Sequence, residues 1–249
     1  MPEAPQTLDG WYVLHDFRTL DVKAWQSASA AERTEAWDSL EELLLQYDAI
    51  NSTSQGSFGF YQMAGHKADV LFLHFRPTVA ELIDVKTKLQ KTSMAPYLQS
   101  PYSYVSVVEL GGYLAKPGVD VETDEYLQSR LKPRIPEMDQ ICFYPMSKRR
   151  DGQDNWYMLP TEDRAKLMRS HGMIGRTYAE KVKQIISGSM GLDDWEWGVT
   201  LFAHDPLEFK KIVQEMRFDE VSARFADFGV FLVGCRVKVE DAKRSWDIL

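Results

Sequence analysis

"ICFYPMSKRR", residues 141–150, opens the second half of the chain and carries two messages at once. Its first eight residues alternate with period two: Ile141 and Phe143 fall on one face, and Cys142, Tyr144, Met146 and Lys148 on the other. That is a strand over 141–148, with Pro145 marking an edge or a bulge. A matching strand, "GWYVLHDFR" (10–18), opens the first half, and Trp11 and Ile141 stand 130 residues apart.

The elements after these two strands keep the same order. In the first half, "SAAERTEAWDSLEELLLQYDAI" reads as a helix capped by Ser29, with Trp37, Leu40, Leu44 and Tyr47 on one stripe. Strands follow at 57–65 and 69–76, then a helix from Pro77 to about residue 90, and "YSYVSVVEL" (102–110) closes the unit. In the second half a helix is expected over 161–178, strands at 181–190 and 195–203, one helix from Pro206 into "EMRFDEVSARF", and a strand at 228–238. Pro77 and Pro206 are 129 residues apart, so the offset is kept. The expected fold is α+β, a duplicated βαββαβ ferredoxin-like unit. Its boundaries are 1–110 for the first unit, 111–140 for an interdomain loop and 141–249 for the second unit. The loop is too long to be a passive connector and is expected to cover a site or an interface.

Composition narrows the function. Of 249 residues, 44% are hydrophobic and 12% aromatic, enough for a sizeable core. The net charge of −8 argues against nucleic acid and anionic lipid as partners, so any anion must meet a local basic cluster. The two cysteines, Cys142 and Cys235, belong to no zinc spacing and, among apolar neighbours, are expected to be buried free thiols. The N-terminus lacks signal-peptide features and no apolar run approaches a membrane span, so a cytoplasmic, soluble protein is expected.

Among the five histidines, His15, His66, His74 and His204 read as structural. His171, in "LMRSHGMIGR" (167–176), shares a helix face with Leu167, Met168 and Ile174 and should point inward. Gly172 and Gly175 follow it, each costing the helix about 1 kcal/mol relative to alanine. Either they let a flat cofactor approach the backbone beside an iron ligand, or they pack the helix on its sheet. Spacing alone leaves both readings open. Tyr144, Met146 and Lys148 set a phenol, a thioether and a cation in one row. Gln184 puts an amide in the apolar row of Val182 and Ile186, and Arg217 sits near the inward side of its helix and needs an anionic partner. Trp156, Tyr157, Trp195 and Trp197 read mostly as core.

Taken in order, "ICFYPMSKRR", "DNWYMLP", "LMRSHGMIGRTYAEKVKQIISGSMGLDDWEWGVTLF" and "EMRFDEVSARFADFG" closely resemble the coproheme decarboxylases of Gram-positive bacteria, within the chlorite-dismutase-like haem family. The resemblance also takes in "TLDGWYVLHDFR" and "YSYVSVVEL". It implies two ferredoxin-like units forming a dimeric α+β barrel within one subunit, a cytoplasmic homopentamer, and a haem site in the C-terminal unit. By matching position, His171 becomes the axial iron ligand and Tyr144 the redox-active tyrosine. Gln184 falls at the distal position, where true chlorite dismutases have arginine, and Arg130, Tyr113, Met146, Lys148, Arg217 and Ser222 surround the substrate propionates. The implied reaction is peroxide-dependent oxidative decarboxylation of iron coproporphyrin III (coproheme) at propionates 2 and 4 to vinyl groups. It yields haem b, with hydrogen peroxide as oxidant and a transient contact with coproporphyrin ferrochelatase. The alternatives are a chlorite dismutase, against which the neutral Gln184 amide counts, and a non-catalytic haem carrier or sensor, against which Tyr144 and its cationic neighbours count.

Overall fold

In the computed structural model, residue 4 and residues 6–111 and 120–245 are described; Tyr113 lies outside them. The first half runs β1 (Thr7–Leu20), α1 (Val22–Ser27), α2 (Ala30–Asp48), β2 (Ser57–Met63), β3 (Val70–Arg76), α3 (Val79–Gln90) and β4 (Leu98–Gly111). Helix α4 (Glu125–Leu131) follows. The second half runs β5 (Gln140–Lys148), the hairpin β6 (Arg150–Asp151) and β7 (Asp154–Asn155), α5 (Thr161–Thr177), β8 (Lys183–Gly188) and β9 (Trp197–Ala203). It ends with α6 (Leu207–Met216), α7 (Glu220–Phe225), β10 (Ala226–Phe228), β11 (Leu232–Arg236) and α8 (Ala242–Ser245).

Within each half the antiparallel strands take one spatial order, β2-β3-β1-β4 and β11-β5-β9-β8. Pairing of β4 with β8 and of β11 with β2 joins the two sheets, so these eight strands close into a barrel. This is the expected fold. Period-two alternation then sorts the side chains. Trp11, Val13 and Phe17 of β1, Phe143 of β5, Ile185 of β8 and Phe202 of β9 fill the barrel. His15 joins them: burial pushes its imidazole down to about 3, and its Nε2 meets Thr200 Oγ1 of the other half at 2.9 Å.

The outward faces of the two halves are used differently. On the first, α2 and α3 press Trp37, Leu40, Leu44, Tyr47 and Leu82 onto Phe58, Phe60 and Phe72, and the space is filled. Both helices start with a capping box, Ser29 with Glu32 and Thr78 with Glu81. On the second, α6 buries Phe209 and Ile212 against Cys142, Val199 and Leu201, whereas α5 has no buried residue. A cleft remains between α5 and the sheet.

Several elements depart from expectation. The helix after Pro206 is two helices, because the chain turns at Arg217–Asp219, leaving Phe218 in solvent while Asp219 turns in to a buried position. The last strand is likewise split into β10 and β11 on the same side of β5. The break lies opposite Pro145, which has no N–H to give to the ladder and whose carbonyl instead accepts from Gly229 N at 2.9 Å. Cys142 is buried, but Cys235 is exposed, on the outer face of β11 with its Sγ 3.2 Å from Gln140 Oε1. The 111–140 segment contains α4, whose Leu127 and Leu131 pack on Leu110.

Candidate porphyrin-binding cleft

The cleft holds ≈590 Å³ of space, its mouth included, and is narrow between α5 and the sheet. Strand β5 contributes Tyr144, Met146 and Lys148 to it from alternate positions, β8 contributes Gln184 and Ile186, and β9 contributes Val199 and Leu201. Helix α5 supplies His171, the α6–α7 turn supplies Arg217, and α7 supplies Ser222. Seven of the nine residues singled out from sequence thus face one cavity. Arg130 does not: it lies on exposed α4, where it donates to Tyr126 Oη at 3.2 Å and stacks over that ring.

His171 is only partly buried, its side chain 28% exposed, and it points at the cleft rather than into a packed core. Its Nδ1 lies 2.7 Å from Oδ2 of Asp219, whose side chain is 3% exposed. With Nδ1 donating to that carboxylate, Nε2 keeps its lone pair free as a ligand, the arrangement typical of metal-bound imidazole. Among the described residues, no group of three or more His, Cys, Asp or Glu is placed to hold a metal ion. Gly175 faces the cleft: a Cβ there would stand 3.4 Å from Met216 Cε and 3.7 Å from Gln184 Nε2. A Cβ on Gly172 would meet nothing within 4 Å, so packing within the chain does not require a glycine there.

The cations are held without being neutralised at short range. Burial pushes the Lys148 ammonium down to about 8, while Asp219 and Glu196 pull the other way, and its Nζ sits 4.5 Å from the centre of the Trp156 ring. Glu196 is fixed by accepting from the Lys148 backbone N–H at 2.7 Å. Arg217 stacks its guanidinium 3.5 Å over Phe228. Tyr144 stacks on Phe231 at 4.4 Å. Its hydroxyl has no hydrogen-bond partner among the described residues, and burial raises the phenol well above its ordinary value, with Arg217 opposing. The phenol is therefore neutral and keeps its proton until something in the cleft accepts it. Flat, apolar walls, two cations and one metal-competent imidazole suit a metalloporphyrin bearing carboxylates.

Sequence reasoning missed Asp219, Glu196 and the aromatic supports Phe228 and Phe231. Asp219 opens α7, where an acid before a helix reads as a routine start signal, and nothing local ties it to a histidine 48 residues earlier.

The family model described as chlorite dismutase matches residues 33–237 of this chain. The chain belongs to the chlorite dismutase family. Within that family, a coproheme decarboxylase of Thermus thermophilus is 54% identical over 246 residues, covering 99% of this chain and 97% of the relative. The solved structure of a heme-binding protein from Thermus thermophilus superimposes with a TM-score of 0.93 at 50% identity, covering 100% and 99% of the two chains. A chlorite dismutase variant from Candidatus Nitrospira defluvii, 18% identical, gives a TM-score of 0.73 over 95% of each chain and shares the fold. No helix among the described residues of this chlorite dismutase family member is long and apolar enough to cross a membrane.

Proposed function

We propose that this chain is a coproheme decarboxylase, which uses hydrogen peroxide to convert propionates 2 and 4 of iron coproporphyrin III to vinyl groups and releases haem b. The observation that carries the reading is the row Tyr144, Met146 and Lys148 facing His171 across one cleft, with Asp219 fixed on the far side of the imidazole. The named activity of a relative 54% identical over nearly its whole length supports it.

In this reading coproheme is both substrate and redox cofactor, and with peroxide its iron supplies the oxidising power. His171 Nε2 holds the iron, and Asp219 keeps the tautomer and sets the imidazole's donor strength. Lys148, Arg217 and Ser222 bind carboxylates by charge-assisted hydrogen bonds, with Arg130 and Tyr113 as further ligands from the segment between the halves. Met146 and Gln184 pack beside the ring. Tyr144, once a propionate accepts its phenolic hydrogen bond, gives its proton to that carboxylate and its electron to the oxidising equivalent that peroxide supplies, and the phenoxyl then takes a hydrogen atom from that propionate's β-carbon. Loss of carbon dioxide, of the transferred proton and of one further electron to the same oxidant leaves the vinyl group, so one peroxide is reduced to two waters for each vinyl formed. Gln184, a neutral amide, gives poor support to a departing hypochlorite, which disfavours chlorite chemistry. The working form is a cytoplasmic homopentamer in transient contact with coproporphyrin ferrochelatase.

Tyr144→Phe tests the reading. Because the hydroxyl has no partner among the described residues, the variant should melt within about 1 kcal/mol of the parent and load coproheme normally. Stepwise peroxide followed by mass analysis should then show no vinyl product; near-normal haem b would remove Tyr144 from the mechanism.

A further inference from the structure

Trp197 stands on the cleft side of β9. It is two residues from Val199 and directly across from Met146, both of which line the cleft. Cross-strand partners are roughly 5 Å apart at Cα, so the indole is close enough to exchange electrons with a molecule bound there. Its Nε1–H donates to Glu109 Oε1 of β4 at 2.8 Å. The partner of Trp197 on β8 is Gly188, where any side chain would collide with Glu109. That bare position is what lets indole and carboxylate meet. Burial raises the Glu109 carboxyl above its ordinary value and the bond from Trp197 lowers it, which leaves a competent base at hydrogen-bond distance.

Losing an electron makes an indole N–H strongly acidic. An indole already paired with a carboxylate sheds electron and proton together and leaves no net charge in a half-buried place. Trp156 is unsuited, since Lys148 above its ring opposes a radical cation. Neither Trp156 nor Trp195 has an acceptor for its N–H among the described residues. Tyr144 has none either until a ligand carboxylate arrives.

We propose that Trp197 and Glu109 form a resident electron outlet for the cleft, engaged when Tyr144 has no carboxylate to receive its proton, which gives the chain a peroxidase activity toward small one-electron reductants of the ascorbate class. The inference rests on the porphyrin reading above. In each step the Nε1–H bond of Trp197 breaks, its electron passes into the cleft and its proton crosses to Glu109. The reductant then returns one electron, and Glu109 returns the proton. Two such steps reduce one hydrogen peroxide to two waters, the two protons and two electrons coming from ascorbate as it becomes dehydroascorbate. Trp197 is partly exposed, which gives the reductant access.

The test uses the full chain loaded with ferric haem b, which carries vinyl groups where coproheme carries the reactive propionates. It is freeze-quenched after peroxide, with and without ring-deuterated tryptophan. The expected result is a radical signal narrowed by deuteration, lost in Trp197→Phe, converted to a phenoxyl signal in Trp197→Tyr and reduced severalfold in Glu109→Gln. Ascorbate oxidation should fall in parallel, while conversion of coproheme to haem b by mass is retained. A signal that ignores deuteration, persists in Trp197→Phe or never forms in the parent overturns the outlet, and intact coproheme conversion in the same samples leaves the decarboxylase reading standing. Failure of the parent to take up either porphyrin overturns both.

Discussion

Lys148 is a cation held where water cannot fully solvate it, and its titration reports what the cleft contains. Its folded-state value of about 8 lies below the ordinary lysine value, so between these two the unfolded chain holds a proton that the folded chain has released. This group therefore adds stability as pH rises, and the buried Cys142 thiol, raised to about 12 from an ordinary value near 9, opposes it only above 9; stability of the ligand-free protein should rise between about pH 8 and 9, and Lys148→Met should abolish that rise. A bound carboxylate reverses the balance by favouring the charged ammonium. Coproheme binding at pH 8 should take up about half a proton at this group, seen by calorimetry in buffers of different ionisation enthalpy, and affinity should fall as pH climbs past 8. Equal observed heats in every buffer, or a Lys148→Met variant with the same proton uptake, would assign the cleft's carboxylate contact elsewhere.

Helix α5 behaves as a wall rather than a pillar, since none of its residues is buried while α2, its counterpart, buries six. Amide exchange in the ligand-free protein should accordingly be faster along α5 than α2, and loading should slow it along α5 first. Gly175→Leu should leave the fold intact but block loading, because the new side chain projects at Met216 and Gln184; porphyrin titration with unchanged affinity would show that α5 is not the wall. The sequence made much of this legible. Alternation in 141–148 put Tyr144, Met146 and Lys148 on one face, and the i, i+4 spacing of Leu167 and His171 set the histidine toward the cleft, because both patterns are local consequences of backbone geometry. What escaped was non-local. The bond from His171 to Asp219 depends on a turn at Arg217–Asp219 that interrupts an otherwise helical pattern, and the break between β10 and β11 depends on Pro145 in a different strand. The role of Arg130 came from resemblance alone; outside the cleft, on α4, it donates to Tyr126.

Across the whole molecule, charge works against the ligand before the cleft works for it. A chain of net charge −8 repels a tetracarboxylate at long range, and only Lys148 and Arg217, among the described cleft residues, reverse the sign locally. Raising ionic strength from about 0.01 M to 0.15 M shortens the screening length from about 30 Å to 8 Å, so the association rate of coproheme in stopped flow should increase with salt. A rate that falls with salt would mean that the basic pair steers from a distance. The two halves of the barrel also divide labour in a way that bears on adaptation. One outer face is packed solid by α2 and α3, and the other is left to a helix that contributes little to holding the chain together. Heat tolerance can therefore be tuned by substitutions under α2 and α3 without altering how readily the opposite wall yields, and the pace of ligand exchange can drift without endangering the fold. Duplication thus gave selection two independent dials within a single polypeptide, one for endurance and one for traffic.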